Sequence, residues 1–271
     1  MSTPEPYNAT IVDWRDVNPA AAVFRVKLDS GAPPTFEPGQ YATLGLPRDH
    51  PPVENPDEFA AGDPRWKKLC RREYSIASKP GGDTLEFYTV HVRDGKLTSK
   101  LWHDKSGGRV WVDPHIKGEF TLQRIPTGQN LVMIATGTGI SPYLSMLRTY
   151  GGTGRWERFV IVHGVRTADD LGYDRQLRDI AEADSTFKYV PICSREPDAG
   201  PWGGLHGRVT DLLHPDRFES MLGVPFDAER CHVYLCGNPR MVDDSEALLQ
   251  ARGFVTHTRQ QPGSIHFERY W

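Results

Sequence analysis

Three separated segments of this 271-residue chain carry residues whose types and spacing suit chemistry. Residues 71–75 (Arg-Arg-Glu-Tyr-Ser) place cations, a phenol and a hydroxyl on what the alternation indicates is a strand. Residues 135–142 (Ala-Thr-Gly-Thr-Gly-Ile-Ser-Pro) form a glycine-rich turn between an apolar strand and a helix. Residues 236–242 (Cys-Gly-Asn-Pro-Arg-Met-Val) put a lone cysteine at the end of a second apolar strand. Each segment suits a different part of one site.

The glycine-rich turn favours phosphate. Thr136-Gly137-Thr138-Gly139 stands where a strand gives way to a helix, and the unpaired N–H groups at a helix start attract a pyrophosphate. The full G-x-G-x-x-G fingerprint is not completed, and no Gly-Lys-Ser/Thr follows as in a P-loop. The alternative is a tight strand-to-helix turn with no ligand.

The first segment suits a ring system with a phosphate beside it. On a strand, Arg72 and Tyr74 share one face, and Glu73 and Ser75 share the other. Arg72 suits a phosphate clamp, Tyr74 suits stacking or hydrogen bonding to a ring, and Ser75 suits an acceptor nitrogen. The alternative is an ordinary amphipathic strand.

Residues 95–101 predict the start of a short helix. Thr98 or Ser99 is expected to cap it, and Lys96 beside a helix start favours a second anion site. The alternative is a hairpin turn followed by a capped helix.

Arginines follow the predicted parallel strands. Arg166 comes after one strand, Ser194-Arg195-Glu196 after the next, and Arg208 a little later. Arginines at these positions accommodate a nucleotide 2′-phosphate, whereas an acidic residue favours a free 2′-hydroxyl. The arginines therefore indicate NADP over NAD, with Glu196 as the opposing signal. The alternative is a set of solvated surface arginines.

Cys236 and the aromatic C-terminus suit the edges of a ring pocket. No neighbour in sequence lowers the thiol pKa, so we interpret Cys236 as shaping a pocket, with inert packing as the alternative. Residues 266–271 (His-Phe-Glu-Arg-Tyr-Trp) hold three aromatics, which predict a lid on flavin or adenine or else a tail docked onto the core.

Composition narrows the chemistry. A formal net charge of −3 argues against bulk binding to nucleic acid or membranes, and no run of about 18 apolar residues predicts a membrane span. The N-terminus lacks the features of a secretory signal, so a cytoplasmic location is expected. The four cysteines show no Cys-x-x-Cys spacing or Cys/His cluster, so we expect no metal. Electron transfer would then need an organic cofactor, and the three segments together indicate a flavin and a nicotinamide nucleotide.

The pattern of apolar residues changes near residue 125 and predicts two domains. Before it, short alternating runs over residues 22–28, 41–46 and 85–92 predict an antiparallel β-barrel across residues 1–125. After it, solid apolar blocks over residues 131–135, 159–163, 187–192 and 232–236 alternate with helical patterns. They predict a doubly wound, Rossmann-like α/β domain across residues 126–271. Residues 48–69 fit neither pattern and are interpreted as a surface loop.

Taken together, these segments closely resemble the ferredoxin–NADP⁺ reductase family. Its bacterial branch matches best, since its chains also end in Glu-x-Tyr-Trp, as residues 268–271 do. The resemblance runs from residues 36–41 (Phe-Glu-Pro-Gly-Gln-Tyr) to Trp271. It implies a FAD-binding antiparallel barrel followed by an NADP-binding Rossmann-like domain.

The resemblance also implies roles for individual residues. The flavin and its diphosphate would be held by a set on the barrel, namely Arg72, Tyr74, Ser75, Tyr88, Thr89, Val90, Lys96, Leu97 and Thr98. Glu73 departs from the family pattern and puts a carboxylate within this cofactor-binding segment. The nicotinamide nucleotide would be bound by Thr136, Gly137, Thr138, Val165, Arg166, Ser194, Arg195, Arg208, Cys236 and Gly237. Ser75, Cys236 and Glu268 would stand nearest the reacting atoms, and Tyr270 and Trp271 would cover the flavin or its adenine.

The implied activity is hydride transfer between NADPH and FAD, with single electrons passing between FAD and ferredoxin or flavodoxin. The chain would act as a monomer, and we expect its basic run to help dock the acidic carrier: Arg65, Lys67, Lys68, Arg71 and Arg72. Two alternatives stay open, a reductase component of an oxygenase or free-flavin reductase, and a non-catalytic nucleotide-binding module.

Overall fold

The chain folds into two compact units. The computed structural model describes residues 7–47, 69–214, 217–223 and 225–269. The units are Met1–Glu119 and Phe120–Trp271, so the division falls earlier than the predicted seam at residue 125. The reason is that the Phe120 ring packs on Tyr234 at a centroid distance of 5.0 Å, and the Tyr234 hydroxyl donates to the Thr121 carbonyl at 2.9 Å. The linking segment therefore belongs to the second unit.

The first unit is an antiparallel sheet of six strands in the order β4-β3-β6-β1-β2-β5. The strands are β1 (Ala9–Asn18), β2 (Ala21–Leu28), β3 (Tyr41–Pro47), β4 (Leu69–Ser75), β5 (Leu85–Val90) and β6 (Arg109–Val112). Helix α1 (Thr98–Asp104) lies between β5 and β6 in the chain. Phe24 of β2 and Phe87 of β5 are fully buried and meet at 5.4 Å in the core.

The two end strands of this sheet approach one another, which confirms the predicted barrel. The Tyr74 ring of β4 packs edge-on against Phe87 of β5 at 6.3 Å. Just beyond β4, the Ala77 N–H donates to the Glu86 carbonyl of β5 at 2.8 Å. Closure of this kind pairs the edges that an open sheet would expose.

The second unit is a parallel sheet of six strands in the order β10-β9-β8-β7-β11-β12, which confirms the predicted Rossmann-like class. The strands are β7 (Asn130–Thr136), β8 (Arg158–Val165), β9 (Phe187–Cys193), β10 (Leu205–His206), β11 (Cys231–Gly237) and β12 (Ile265–Arg269). The helices are α2 (Ser141–Tyr150), α3 (Asp174–Ala183), α4 (Arg217–Leu222) and α5 (Pro239–Gln250).

The solid apolar blocks of the sequence are the central strands of this sheet. Alternate side chains of β7, β8 and β11 pack with α5 in one buried cluster that includes Ile134, Val162, Leu235 and Val242. Helix α5 starts cleanly because the Asn238 side chain accepts the Arg240 N–H at 2.9 Å and Pro239 supplies the first helical residue.

The order of the strands creates a switch point. From β7 the chain moves outward through β8, β9 and β10, then returns to the other side of β7 with β11 and β12. In open α/β sheets the ligand crevice lies at the carboxyl ends of the strands where the order reverses, here β7 and β11. In the described part of the chain, no helix is long and apolar enough to cross a membrane.

One expectation about local structure is wrong. Neither Thr98 nor Ser99 caps α1, whose N-cap is Leu97 without a side-chain hydrogen bond. The expected lid of Tyr270 and Trp271 lies outside the described residues and stays a prediction. The residues before it, 265–269, form the edge strand β12, paired in parallel with β11, which the sequence did not predict. The short run Ile-His-Phe-Glu-Arg has too few residues for its alternation to stand out.

Candidate functional site

The end of β4 presents the predicted cation, phenol and hydroxyl. Strand pairing places Arg72 opposite Leu44 and Tyr74 opposite Ala42, so the two share the face that looks into the barrel. Glu73 pairs with Thr43 on the outer face and is exposed, which directs its carboxylate away from that face. Ser75 ends the strand and is buried.

Tyr74 links β4 to β5 and is held as a neutral phenol. Its ring packs against the barrel core, and its hydroxyl is hydrogen-bonded to Thr89. Burial raises the pKa of the Tyr74 hydroxyl above its usual value, while the nearby Arg72 charge acts the other way. On either side of Thr89, Tyr88 is buried and Val90 is half-buried. A neutral phenol, a hydroxyl and a cation therefore meet at one end of the barrel.

The loop before α1 is closed by two hydroxyl groups. Thr98 Oγ1 lies 3.2 Å from both the N–H and the carbonyl of Val92, and Ser99 Oγ donates to the Gly95 carbonyl at 2.6 Å. These bonds take up the side chains expected to cap α1. A Cβ on Gly95 would overlap Thr98 Oγ1, so the loop requires glycine there. Lys96 is exposed and Leu97 is buried.

At the switch point, the glycine turn uses its two glycines for different reasons. Gly137 opens the 3₁₀ turn Gly137–Ile140 with φ +55°, a left-handed conformation that suits glycine, and a Cβ there would meet nothing within 4 Å. Gly139 instead abuts β11, since a Cβ there would collide with the Cys236 carbonyl. The turn is thus open on the Gly137 side and packed on the Gly139 side, with Thr138 half-buried between them.

The ends of β7 and β11 are joined directly. The Asn238 N–H donates to Thr136 Oγ1 at 2.9 Å, and a Cβ on Gly237 would collide with the same hydroxyl. Thr136 therefore holds the strand ends together. One residue before Gly237, the fully buried Cys236 pairs with Glu268 of β12, and its sulfur lies 4.0 Å from Glu268 Oε2.

The predicted phosphate-binding residues come together at the ends of β8, β9 and β10. The Ser194 N–H donates to the Val165 carbonyl at 3.0 Å, and the Arg195 N–H donates to the Arg166 carbonyl at 2.8 Å. Arg208 follows β10, whose His206 pairs with Cys193 of β9. The side chains of Arg166, Arg195 and Arg208 are exposed, and none forms an ion pair with a carboxylate in the part of the chain that the structure describes. Three cations are thus available to a multiply charged anion.

His163 is a site residue that sequence reasoning missed. It is fully buried in β8, with Nε2 2.8 Å from the Gly137 carbonyl and Nδ1 3.4 Å from the Tyr189 hydroxyl. Burial lowers the pKa of His163 to about 4, so near neutral pH the uncharged ring donates from Nε2 to that carbonyl. The only signal in the sequence is a polar residue inside a solid apolar block.

Several predicted residues fall outside the described ranges, namely Arg65, Lys67, Lys68, Tyr270 and Trp271. Among the described residues, no group of three or more His, Cys, Asp or Glu side chains could hold a metal ion. All four cysteines are buried, and none of them forms a disulfide within the described residues.

The closed barrel and the parallel sheet with its switch-point turn define a two-domain protein of the class that pairs an antiparallel barrel with a Rossmann-like domain. Accordingly, residues 133–247 match the oxidoreductase NAD-binding domain. The flavodoxin/ferredoxin–NADP reductase of Escherichia coli (strain K12) is 35% identical over 263 residues, 96% of each chain. This chain belongs to the ferredoxin–NADP reductase family.

Solved structures agree with this assignment. The crystal structure of a ferredoxin NADP⁺ reductase from Neisseria gonorrhoeae with bound FAD and NADP superposes with a TM-score of 0.81 at 28% identity and covers 97% of both chains. An Amycolatopsis cytochrome P450 reductase superposes with a TM-score of 0.72 at 27% identity, over 97% of this chain and 69% of that one.

Proposed function

We propose that this protein is a ferredoxin–NADP⁺ reductase, which transfers hydride between NADPH and FAD and single electrons between FAD and ferredoxin or flavodoxin. Identity of 35% along 96% of the chain to a reductase of that name supports the reaction. The observation that carries the choice of nucleotide is the group of three exposed arginines at the ends of β8, β9 and β10, since a 2′-phosphate distinguishes NADP from NAD.

FAD, when bound, supplies the hydride chemistry and the one-electron steps. The barrel residues fit it: Arg72 would neutralise the diphosphate, while Tyr74 and Thr89 would present neutral hydrogen-bonding groups to the ring. Ser75 would stand beside the reacting nitrogen, and Tyr88 and Val90 would line the flavin. Lys96, Leu97 and Thr98 would complete the diphosphate site, with Lys96 contributing the charge.

The α/β unit would bind and orient NADPH. Gly137 and Thr138 would receive the pyrophosphate, and Thr136 would keep the strand ends in register. Beyond β8, β9 and β10, the 2′-phosphate and its ribose would be held by Val165, Arg166, Ser194, Arg195 and Arg208. Cys236, Gly237 and Glu268 would border the nicotinamide, with the buried thiol and the Glu268 carboxylate held 4.0 Å apart.

Other features remain predictions. Tyr270 and Trp271 would cover the flavin or its adenine and would have to move to admit the nicotinamide. The basic run, of which Arg71 and Arg72 are described and exposed, would dock the acidic carrier. We expect a monomer that acts in the cytoplasm.

A second candidate is the reductase component of an oxygenase. The likeness to the Amycolatopsis cytochrome P450 reductase supports it, because this chain matches that structure over 97% of its own length. The two candidates differ in the electron acceptor, so turnover with purified ferredoxin, flavodoxin and an oxygenase partner separates them.

The primary test is an anaerobic titration of the purified protein with NADPH and, separately, with NADH, following the visible flavin band. Fast bleaching by NADPH and slow bleaching by NADH are expected. Equal bleaching by both would retain a flavin reductase but remove the arginines as specificity residues. A protein that binds no flavin, or is bleached by neither nucleotide, would favour the non-catalytic binding module.

A further inference from the structure

In the sequence alone, Glu196 indicates a different nucleotide from the one that the neighbouring arginines indicate. An acidic side chain after this strand of a doubly wound sheet favours a ribose with a free 2′-hydroxyl, as in NAD. Its carboxylate also adds negative charge beside Arg195, where we expect a phosphate. The structure shows what this carboxylate does instead.

The Glu196 side chain is bound to the neighbouring loop. Its Oε1 accepts the Ala168 N–H at 2.6 Å. Ala168 is the first residue of the 3₁₀ turn Ala168–Asp170, whose opening N–H groups lack partners within the turn. A carboxylate at that position is stabilised by the partial positive charge of those amides.

The bond from Glu196 extends the pairing of β8 with β9 beyond the strands. Two backbone bonds come first, from Ser194 to Val165 and from Arg195 to Arg166. The Glu196 side chain then makes the next link, to Ala168. Hydrogen bonds therefore fix the backbone just before Arg166, at its own carbonyl, and two residues after it. Together they join the loop that carries Arg166 to the loop that carries Arg195.

The far side of the turn is fixed separately. Asp170 Oδ2 accepts the Thr167 N–H at 3.2 Å and lies 3.3 Å from the Thr167 hydroxyl. The segment after Arg166 is thus held by its own capping box and by Glu196 together. Of these links, Glu196 is the one that joins this turn to the loop carrying Arg195.

We propose that Glu196 is a positioning residue that sets the preference for NADPH over NADH. It holds the Arg166 loop against the Arg195 loop, so that both guanidinium groups are placed for the 2′-phosphate. Its carboxylate is turned to a backbone N–H and is not offered to the ribose. This inference rests on the proposed NADP(H) site.

Three substitutions separate this role from a simple charge effect. Glu196→Ala removes the acceptor, and Glu196→Gln keeps an acceptor oxygen without the charge. Asp198→Ala is the matched control, because it removes a fully exposed acidic side chain two residues away whose contact, at 3.7 Å, is with His206 and not with Ala168. The FAD-loaded enzymes would be compared by kcat/KM for NADPH and NADH. Calorimetry would give the Kd of 2′,5′-ADP, which carries the 2′-phosphate, and of 5′-ADP, which lacks it.

Glu196→Ala should weaken 2′,5′-ADP binding and lower the NADPH-to-NADH selectivity about tenfold, the size of one hydrogen bond to a charged acceptor. The KM for NADPH should carry the change, while 5′-ADP binding stays constant. Glu196→Gln, whose neutral oxygen can still accept the Ala168 N–H, should keep more of the selectivity than Glu196→Ala, and Asp198→Ala should stay within about twofold of the parent.

Unchanged or increased selectivity in Glu196→Ala would overturn the inference, because the carboxylate would then be neutral or repulsive to the phosphate. Equal weakening of both nucleotides would also overturn it, since it indicates general loosening of the unit. So would a loss in Glu196→Gln as large as that in Glu196→Ala. Arg166→Ala and Arg195→Ala test the site itself: if neither weakens 2′,5′-ADP binding, the proposed NADP(H) site fails. If they do and Glu196→Ala does not, only this inference fails.

Discussion

At the scale of single residues, several polar side chains of the proposed site already form hydrogen bonds to the protein's own backbone. The Thr136 hydroxyl and the Glu196 carboxylate each accept a backbone N–H, and the His163 ring bonds a backbone carbonyl. We infer that such groups would act on a bound nucleotide through the loops that they hold. A sequence shows their identity but not their hydrogen-bond partner, which explains why Glu196 suggested NAD and why His163 was overlooked.

His163 supports a prediction about the glycine turn. His163→Leu leaves the Gly137 carbonyl without its donor, which should cost about 1–3 kcal/mol of unfolding free energy. The KM for NADPH should rise several-fold because the turn loses its anchor. Urea unfolding and steady-state kinetics measure the two effects.

His163→Gln provides the comparison for this prediction, because its amide can still donate to the same carbonyl. His163→Gln should therefore recover part of the lost unfolding free energy and reverse part of the rise in the KM for NADPH. Tyr189→Phe, which removes the weaker contact at 3.4 Å and leaves the bond to Gly137, should change less than His163→Leu. A His163→Leu enzyme with normal stability and normal KM for NADPH would show that the bond to Gly137 is dispensable.

At the scale of elements, the junction between β7 and β11 is the most sterically restricted part of the described site. Gly139 and Gly237 both approach the opposite strand end so closely that any Cβ would collide with it. At Gly137, two residues before Gly139, a Cβ would meet no other atom within 4 Å. Glycine is favoured there only because the backbone is left-handed. These two kinds of glycine should respond differently to the same substitution.

Gly139→Ala should be far more damaging than Gly137→Ala. The first forces the turn away from the Cys236 carbonyl, and we expect a loss of nucleotide affinity of tenfold or more and a lower melting temperature. The second should cost about 1–2 kcal/mol, the usual penalty for a non-glycine residue in the left-handed region. Calorimetric binding of 2′,5′-ADP and thermal melts test the ranking. Equal effects of the two substitutions would contradict it.

The stack of histidines along β11 and β12 predicts that stability depends on pH. His266 packs on Tyr234 at 4.6 Å and on His257 at 4.9 Å, and its Nε2 lies 3.0 Å from His232 Nδ1. Burial, followed by the neighbouring imidazoles His232 and His257, lowers the pKa of His266 to about 3. Burial, followed by His257, also lowers the pKa of His232.

Because these folded-state pKa values lie below the unfolded value of about 6.5, the unfolded chain takes up protons first as the pH falls. Stability should therefore be complete above about pH 6.5 and decline steadily toward pH 5. His266→Phe, which keeps a ring on Tyr234, should make that decline shallower. Urea unfolding at pH 7, 6 and 5 measures the slope, and an unaltered slope in His266→Phe would refute the assignment.

At the scale of the whole molecule, the sequence predicted the two-domain architecture because each class of sheet has its own pattern. Strands β7, β8 and β11 are covered on both faces and appear in the sequence as uninterrupted apolar runs. In β2 and β3, by contrast, inward-facing apolar residues alternate with outward-facing ones. Strand β12 was not predicted, since its edge position leaves three intermediate residues and no apolar run. The division between the units also differed, because what holds Phe120 and Thr121 is a distant tyrosine rather than a local pattern.

A separate prediction concerns the docking of the electron carrier. If basic residues near β4 receive an acidic carrier, ferredoxin-dependent turnover should fall as salt rises through about 0.1 M, where exposed charges become screened. Turnover of NADPH with ferricyanide should change much less. Lys67→Glu combined with Lys68→Glu should raise the KM for ferredoxin and leave the KM for NADPH unchanged. Carrier turnover that is flat with ionic strength, or insensitive to the double substitution, would remove this run from the docking surface.

The packing of Phe120 has a consequence for how the molecule can be divided and recombined. A nucleotide-binding half expressed from residue 126 would lack the ring that covers Tyr234, and its buried hydroxyl would lose the Thr121 carbonyl. A half that begins at Phe120 keeps both. Exchange of the reductase halves between relatives should therefore succeed when the crossover precedes this phenylalanine. When it follows, the product should be poorly soluble, as an aromatic surface formed for burial would meet water.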